Sequence, residues 1–151
     1  MKKIVSLMAL YVVLFGTVMT VTGCGNKPNK DSVWETTKVN GVAVPEVHTE
    51  YWCFHSDANL YKVTKSNMSF TNEGKYTIDD ATKKITITTT RWGRGGTPVE
   101  IKTTFNYTIT GSKMTLKSIY ENGANSNAEP SSYEMKKSNK FNANDIKKKV
   151  K

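Results

Sequence analysis

The sequence predicts an all-β fold, an antiparallel up-and-down β-barrel of about eight or nine strands with a short basic C-terminal tail. Thr, Tyr, Val, Ile and Phe are frequent from about residue 33 to residue 137, where short runs alternate with turn residues. The clearest run, Val99 to Ile109, alternates apolar and polar side chains and so has one dry and one wet face. Closing such a sheet into a barrel removes its exposed edges.

The predicted strands follow one another with turns rich in Asp, Asn, Ser and Gly between them. In chain order we expect strands near Val33 to Val39, Glu50 to His55, Leu60 to Thr64, Met68 to Thr71, Lys75 to Asp79, Ile85 to Thr90, Val99 to Ile109, Met114 to Tyr120 and Ser131 to Lys137. The one helical signal lies in the tail, where Asn144 is expected to cap a short helix over Asp145 to Lys151.

Charge divides the chain into a neutral body and a basic tail. Residues 31–134 hold eleven basic and twelve acidic residues, whereas residues 135–151 hold seven lysines and one aspartate. A near-neutral body argues against a nucleic-acid-binding surface. The tail, residues 138–151, is either a solvated, frayed terminus or a segment that lies near an anionic lipid or wall polymer.

The N-terminus has the pattern of a secretory signal: two lysines, an apolar stretch from Ile4 to Val21, and small residues before a cysteine. The run from Val21 to Cys24 resembles the lipobox of bacterial lipoproteins. That resemblance implies diacylglyceryl transfer to the Cys24 sulfur, and palmitate or another acyl chain as the anchor. We therefore expect a signal peptide over residues 1–23, a tether over 24–30 and one domain over 31–137.

The same resemblance implies an extracytoplasmic protein anchored to a membrane, the outer membrane in a Gram-negative cell or the cell membrane in a Gram-positive one. A retained transmembrane helix is the alternative for the apolar stretch. Such a helix needs about 20 apolar residues, and the stretch from Ile4 to Val21 is borderline in length.

The predicted domain resembles the lipocalin-like bacterial lipoproteins, which are small calycin-type barrels behind a lipobox. The resemblance is carried by Trp34, the aromatic run from Tyr51 to Phe54, the segment from Glu73 to Ile78, the strand from Lys84 to Ile87, and the hairpin from Tyr107 to Leu116. It implies carriage of a small apolar or amphipathic ligand, or maintenance of the cell envelope.

Six aromatic residues are candidates for the lining of a ligand site, with packing in a filled core as the alternative. They are Trp34, Trp52, Phe54, Tyr76, Phe105 and Tyr107. A structural role in the envelope, with the basic tail resting on anionic polymer, is a further alternative function.

A second candidate site is the stretch from Arg91 to Pro98, interpreted as a loop longer than a hairpin requires. Arg91, Trp92 and Arg94 offer stacking, cation–π contacts and pairing with anions, and these residue types are frequent where protein partners bind. This loop favours a protein-binding module, such as an enzyme inhibitor or a binder of a host partner. The alternative is that Trp92 folds back to close a barrel end.

No catalytic, cofactor or metal motif is found in the sequence. Cys53 and His55 share a strand face but have no third ligand nearby, so Cys53 is interpreted as a small buried hydrophobe. Asp79 and Asp80 stand where the chain must turn, which explains them without acid–base chemistry. We therefore predict a protein that is not an enzyme and has no cofactor.

Overall fold

The computed structural model describes residues 27–93, 95–119 and 132–150. They form a closed antiparallel barrel of eight strands, with one additional short strand at its rim. The sheet closes because the first strand also pairs with the last, with Val33 opposite Ser138 and Val39 opposite Tyr133. The predicted fold class is therefore confirmed.

From β3 to β9 each strand pairs with the next strand along the chain, and β1 pairs with β3 and β9, as an up-and-down barrel requires. The elements are β1 (Ser32–Val39), β2 (Val42–Ala43), a 3₁₀ turn (Glu46–His48), β3 (Glu50–Phe54), β4 (Asn59–Thr64), β5 (Ser69–Asp79), β6 (Lys84–Trp92), β7 (Pro98–Thr110), β8 (Lys113–Ile119), β9 (Ser132–Ser138) and α1 (Ala143–Lys149). The strand β2 pairs only with the end of β1, so it lies outside the closed barrel.

Side chains alternate between the interior and the outer face of the barrel. On β3, Trp52 and Phe54 belong to the interior cluster, whereas Tyr51 and Cys53 belong to a second cluster on the outer face. The interior cluster also contains Trp34, Leu60, Tyr76, Ile85, Ile87, Phe105, Tyr107, Met114, Leu116 and Met135.

The outer cluster is covered by α1, which packs on β3, β4 and β5. Ala143 and Ile146 lie one turn apart on the buried face of the helix. A helix of seven residues has little stability alone, so this packing holds it. The expectation of a frayed, solvated tail is wrong for residues 143–149.

The helix also begins earlier than predicted. Its N-cap is Asn142, whose side chain accepts a hydrogen bond from the Asn144 backbone N–H at 2.9 Å. Asn144 is inside the first turn instead of at the cap. Asn142 and Asn144 are both residues that favour an N-cap. The burial of Ala143 and Ile146 on one face of the helix favours a start at Asn142.

Two predicted strands are one. The sequence predicts separate pieces over Met68 to Thr71 and Lys75 to Asp79, whereas β5 is continuous from Ser69 to Asp79. Its pairing with β4 is irregular between Leu60 and Tyr61. The predicted turns after Asp79 and after Thr110 are confirmed.

Successive strands run in opposite directions, so their connections lie alternately at the two ends of the barrel. The end that we call the tether end holds residues 27–31 and the connections at 55–58, 80–83 and 111–112. The opposite end, the hairpin end, holds the connections at 65–68 and 93–97.

Candidate ligand cavity at the tether end

The segment before β1 folds back across the tether end of the barrel. Asp31 donates its backbone N–H to the Phe54 carbonyl at 2.7 Å, and its carboxylate accepts the Ser56 N–H at 2.9 Å. Pro28 is buried. Lys27 reaches Asp80, with Nζ 3.5 Å from Oδ2. These contacts hold residues 27–31 against the turns that follow β3 and β5.

A cavity of about 490 Å³ lies between this segment and the barrel. Its apolar surface comes from Pro28, Ala58, Tyr76 and Ile78, and its polar groups are those of Lys27, Asn29, Lys30, Ser56 and Asp80. A lining that contains both apolar and polar residues suits a small amphipathic molecule.

Two ionisable groups of the cavity have shifted pKa values. A hydrogen bond from Lys83, followed by one from the Tyr107 hydroxyl, lowers the pKa of Asp80 to about 2. Burial raises the pKa of Tyr76 to about 12, and its hydroxyl donates to the His55 carbonyl at 2.8 Å. At neutral pH the cavity therefore offers a neutral phenol, a carboxylate already paired with Lys27, and the exposed Lys30.

The six aromatic residues expected to line a ligand site all lie in the barrel interior. Their rings pack on one another: Phe54 lies 5.2 Å from Tyr76 and Trp52 lies 6.4 Å from Phe105, measured between ring centroids. Tyr76 lines the tether-end cavity. Tyr107 lines a smaller cavity of about 160 Å³.

Two hydroxyl groups on the inner wall are buried and have no hydrogen-bond partner among the described residues, Thr36 Oγ1 and Ser118 Oγ. Each lies two residues beyond an interior side chain, Trp34 and Leu116 respectively, and so shares its inward direction. Buried polar groups are normally paired. These two hydroxyls are therefore exceptions, and neither residue lines the tether-end cavity.

The stretch from Arg91 to Pro98 is a hairpin and not a long loop. Arg91 and Trp92 belong to β6, Pro98 begins β7, and only residues 93–97 connect them. Trp92 is 78% exposed, so the alternative in which it closes the barrel end is wrong. Arg94 and Cys24 lie outside the described residues.

Cys53 lies under α1 and is fully buried. Burial, with the nearby Asp31 and Asp57 carboxylates, raises the pKa of its thiol to about 12, which keeps the thiol protonated. His55 contacts Asp57 and Asn144 and lies against Tyr61. These contacts give both residues a structural role.

Among the described residues, no group of three or more His, Cys, Asp or Glu side chains is arranged to hold a metal ion. No helix in that part of the chain is long and apolar enough to cross a membrane. Comparisons with protein-family models, curated proteins and solved structures gave no match to this chain. Its closed eight-stranded barrel is compatible with a lipocalin-like fold.

Proposed function

We propose that this protein is a bacterial envelope lipoprotein, anchored by acyl chains on Cys24, whose barrel binds a small amphipathic ligand without catalysing a reaction. The supporting observation is the cavity at the tether end, whose lining includes the apolar side chains of Tyr76 and Ile78 and two lysines. We propose the lipocalin-like family on the barrel architecture and on the sequence resemblance.

The proposed anchor and the cavity lie close together in the chain. Lys27 follows Cys24 by three residues, and an extended chain spans about 3.5 Å per residue. An acylated Cys24 would hold the tether end within roughly 10 Å of the lipid surface, so that an amphipathic molecule could pass between membrane and cavity. The hairpin end would then point away from the membrane.

Native mass spectrometry tests ligand binding. The full chain is produced in a bacterial host and extracted in mild detergent, and we expect a co-purified small molecule. Ile78→Arg should abolish that adduct, because a long charged side chain would occupy the cavity. Ile109→Arg is the control, since Ile109 is also half-buried and packs on the same interior cluster but lines the smaller cavity and not the tether-end cavity.

An adduct that survives Ile78→Arg, or is lost equally from both variants, would contradict binding in this cavity.

Anchoring is tested separately with labelled palmitate. We expect the label in the wild-type chain and none in Cys24→Ser.

A second candidate function, binding of a protein partner, is supported by the exposed Trp92 on β6. Val99 and Ile101 on the facing strand are also large exposed apolar residues. Exposed aromatic and arginine side chains are frequent at protein interfaces. Replacing Arg91, Trp92 and Arg94 together by Ala should abolish capture of a partner that the wild-type chain retains.

A further inference from the structure

The barrel wall opens between β5 and β6 towards the hairpin end. The last pair of residues that joins the two strands is Lys75 opposite Thr88. Beyond it, β6 continues along β7 to Trp92, while the start of β5 stays with β4. A cleft of about 520 Å³ lies between the diverging strands.

Gly74 lies where the two strands separate. Its φ is +118°, and a Cβ atom there would stand 2.1 Å from the Thr88 carbonyl oxygen. Only glycine permits the backbone at residue 74 to lie this close to Thr88 while β5 bends away from β6. The cleft is therefore a built feature of the barrel wall.

The backbone of β6 presents hydrogen-bonding groups to this cleft. Residues of an antiparallel strand direct their N–H and C=O groups alternately to the two neighbouring strands. The Gly93 N–H donates to the Thr97 carbonyl and the Tyr107 N–H donates to the Lys83 carbonyl, both at 2.9 Å. The backbone N–H and C=O groups of odd-numbered residues of β6 are therefore directed to β7. Even-numbered residues face the β5 side.

The backbone N–H and C=O groups of Thr90 and Trp92 are thus directed to the β5 side, where Thr90 lines the cleft and Trp92 lies just beyond it. In the part of the chain that the structure describes, neither has a pairing partner on β5. Free strand edges of this kind are templates for another extended chain. The segment from Thr88 to Trp92 also has no proline and a single charge, so nothing in it blocks pairing.

The lining of the cleft fits a polypeptide better than a hydrocarbon chain. It consists of hydroxyl, amide and charged side chains, among them Asn72, Lys75, Arg91 and Glu100. Trp92 lies on the same outer strand face as Thr90, with its ring exposed. A bound strand would therefore meet backbone groups, charges of both signs and one large aromatic side chain.

We propose that the cleft binds an extended segment of a partner protein, which adds a strand to β6 at Thr90 and Trp92. Since β5 stays paired with β4 and β6 with β7, an added strand would lie between the start of β5 and the end of β6. The site lies towards the end opposite the ligand cavity, and it gives the partner-binding candidate a mode of recognition.

The test uses a phage-displayed library of random linear peptides, selected on the full chain in mild detergent. Peptides that bind should slow amide hydrogen exchange at Thr90 and Trp92. The amides of Thr89 and Arg91 should change little, because β7 already pairs with them. Thr90→Pro removes one N–H donor and should weaken peptide binding about tenfold or more. Thr90→Val keeps the donor and should bind as the wild type does.

Several results would overturn the proposal. They are a selection that yields no linear peptide protecting Thr90 and Trp92, equal binding to Thr90→Pro and Thr90→Val, and protection that rises with protein concentration alone, which would show self-association. If Thr90→Pro does not fold, the exchange pattern of the unmodified chain decides the question.

Discussion

Asp57 and Lys147 form an ionic contact between the barrel and α1, with Lys147 Nζ 2.9 Å from Asp57 Oδ2. The same carboxylate accepts the Tyr61 hydroxyl at 2.9 Å and the Asn59 N–H at 3.0 Å. His55 lies beside it, with Nε2 3.2 Å from Asn144 Oδ1 in the first turn of α1. The turn between β3 and β4 therefore holds the helix through one polar cluster.

Asp57→Asn should lower the free energy of unfolding at neutral pH by about 1–3 kcal/mol, because it weakens charge-assisted hydrogen bonds that hold α1. Urea denaturation measures this difference. Tyr107→Phe does not test this contact, because the Tyr107 hydroxyl donates to Asp80 and not to Asp57. Equal stability of Asp57→Asn and the wild type would show that apolar packing alone holds the helix.

The contribution of Asp57 should also depend on pH. Burial raises its pKa, but hydrogen bonds from Lys147, the Asn59 N–H and Tyr61 outweigh burial and hold the pKa well below the usual range. A lowered folded-state pKa adds stability above the unfolded value of about 4 and loses it as the pH falls. The stability difference between wild type and Asp57→Asn should therefore shrink below about pH 4. A stability difference that stays constant at low pH would contradict a lowered pKa of Asp57 in the folded state.

Ile146→Ala should lower the free energy of unfolding by about 2–4 kcal/mol, since Ile146 is fully buried between α1 and the barrel. Lys148→Ala is the matched control on the exposed face of the same helix and should change stability by less than about 0.5 kcal/mol. Similar effects of the two variants would show that the helix does not pack as described.

Periodicity predicted most strands because their inward side chains are apolar, but it left the helix and the long strand incomplete. The dry face predicted for Val99 to Ile109 is buried only at Phe105, Tyr107 and, in part, Ile109, since Val99 and Ile101 are exposed. The dry outer face of β3 at Tyr51 and Cys53 is visible in the sequence only as an uninterrupted apolar run. Such a run indicates burial on both faces without showing what covers the second face. The cover is α1, whose seven residues hold only two buried positions.

The rate at which the Cys53 thiol reacts with a maleimide should show whether α1 covers it. In a Cys24→Ser chain, where Cys53 is the one cysteine, N-ethylmaleimide should react slowly, because the thiol is buried and its pKa is raised to about 12. Deleting residues 139–151 should uncover it and speed labelling to near the rate in urea. Fast labelling of the intact chain would contradict burial under the helix.

Tyr107→Phe should raise the pKa of Asp80. Hydrogen bonds from Lys83 and then from the Tyr107 hydroxyl hold that pKa at about 2. Without the hydroxyl, carboxyl-carbon NMR titration should give a value closer to 3.8 but still below it, since Lys83 Nζ remains 2.8 Å away. Tyr61→Phe should leave Asp80 unchanged. An unaltered Asp80 in Tyr107→Phe would mean that Lys83 alone sets its pKa.

The candidate cavity was only partly predictable. Tyr76 was expected to face a ligand, because aromatic side chains on the dry face of a strand point inward. The sequence predicts a tether that includes Pro28 and Lys30, since nothing in a short polar segment shows that it folds back across the barrel. That placement depends on Asp31 bonding residues 54 and 56, which are distant in sequence.

Gly74→Ala should destabilise the barrel strongly, and the comparison with Gly41→Ala separates two causes. Both glycines have positive φ, +118° and +78°, which costs an alanine about 1–3 kcal/mol. A Cβ at residue 41 meets nothing within 4 Å, whereas at residue 74 it would collide with the Thr88 carbonyl oxygen. Gly74→Ala must therefore also push β5 from β6, and its loss in urea denaturation should exceed that of Gly41→Ala by about 2 kcal/mol or more. Equal losses would mean that strain in φ is the whole effect and that the approach of the two strands is looser than described.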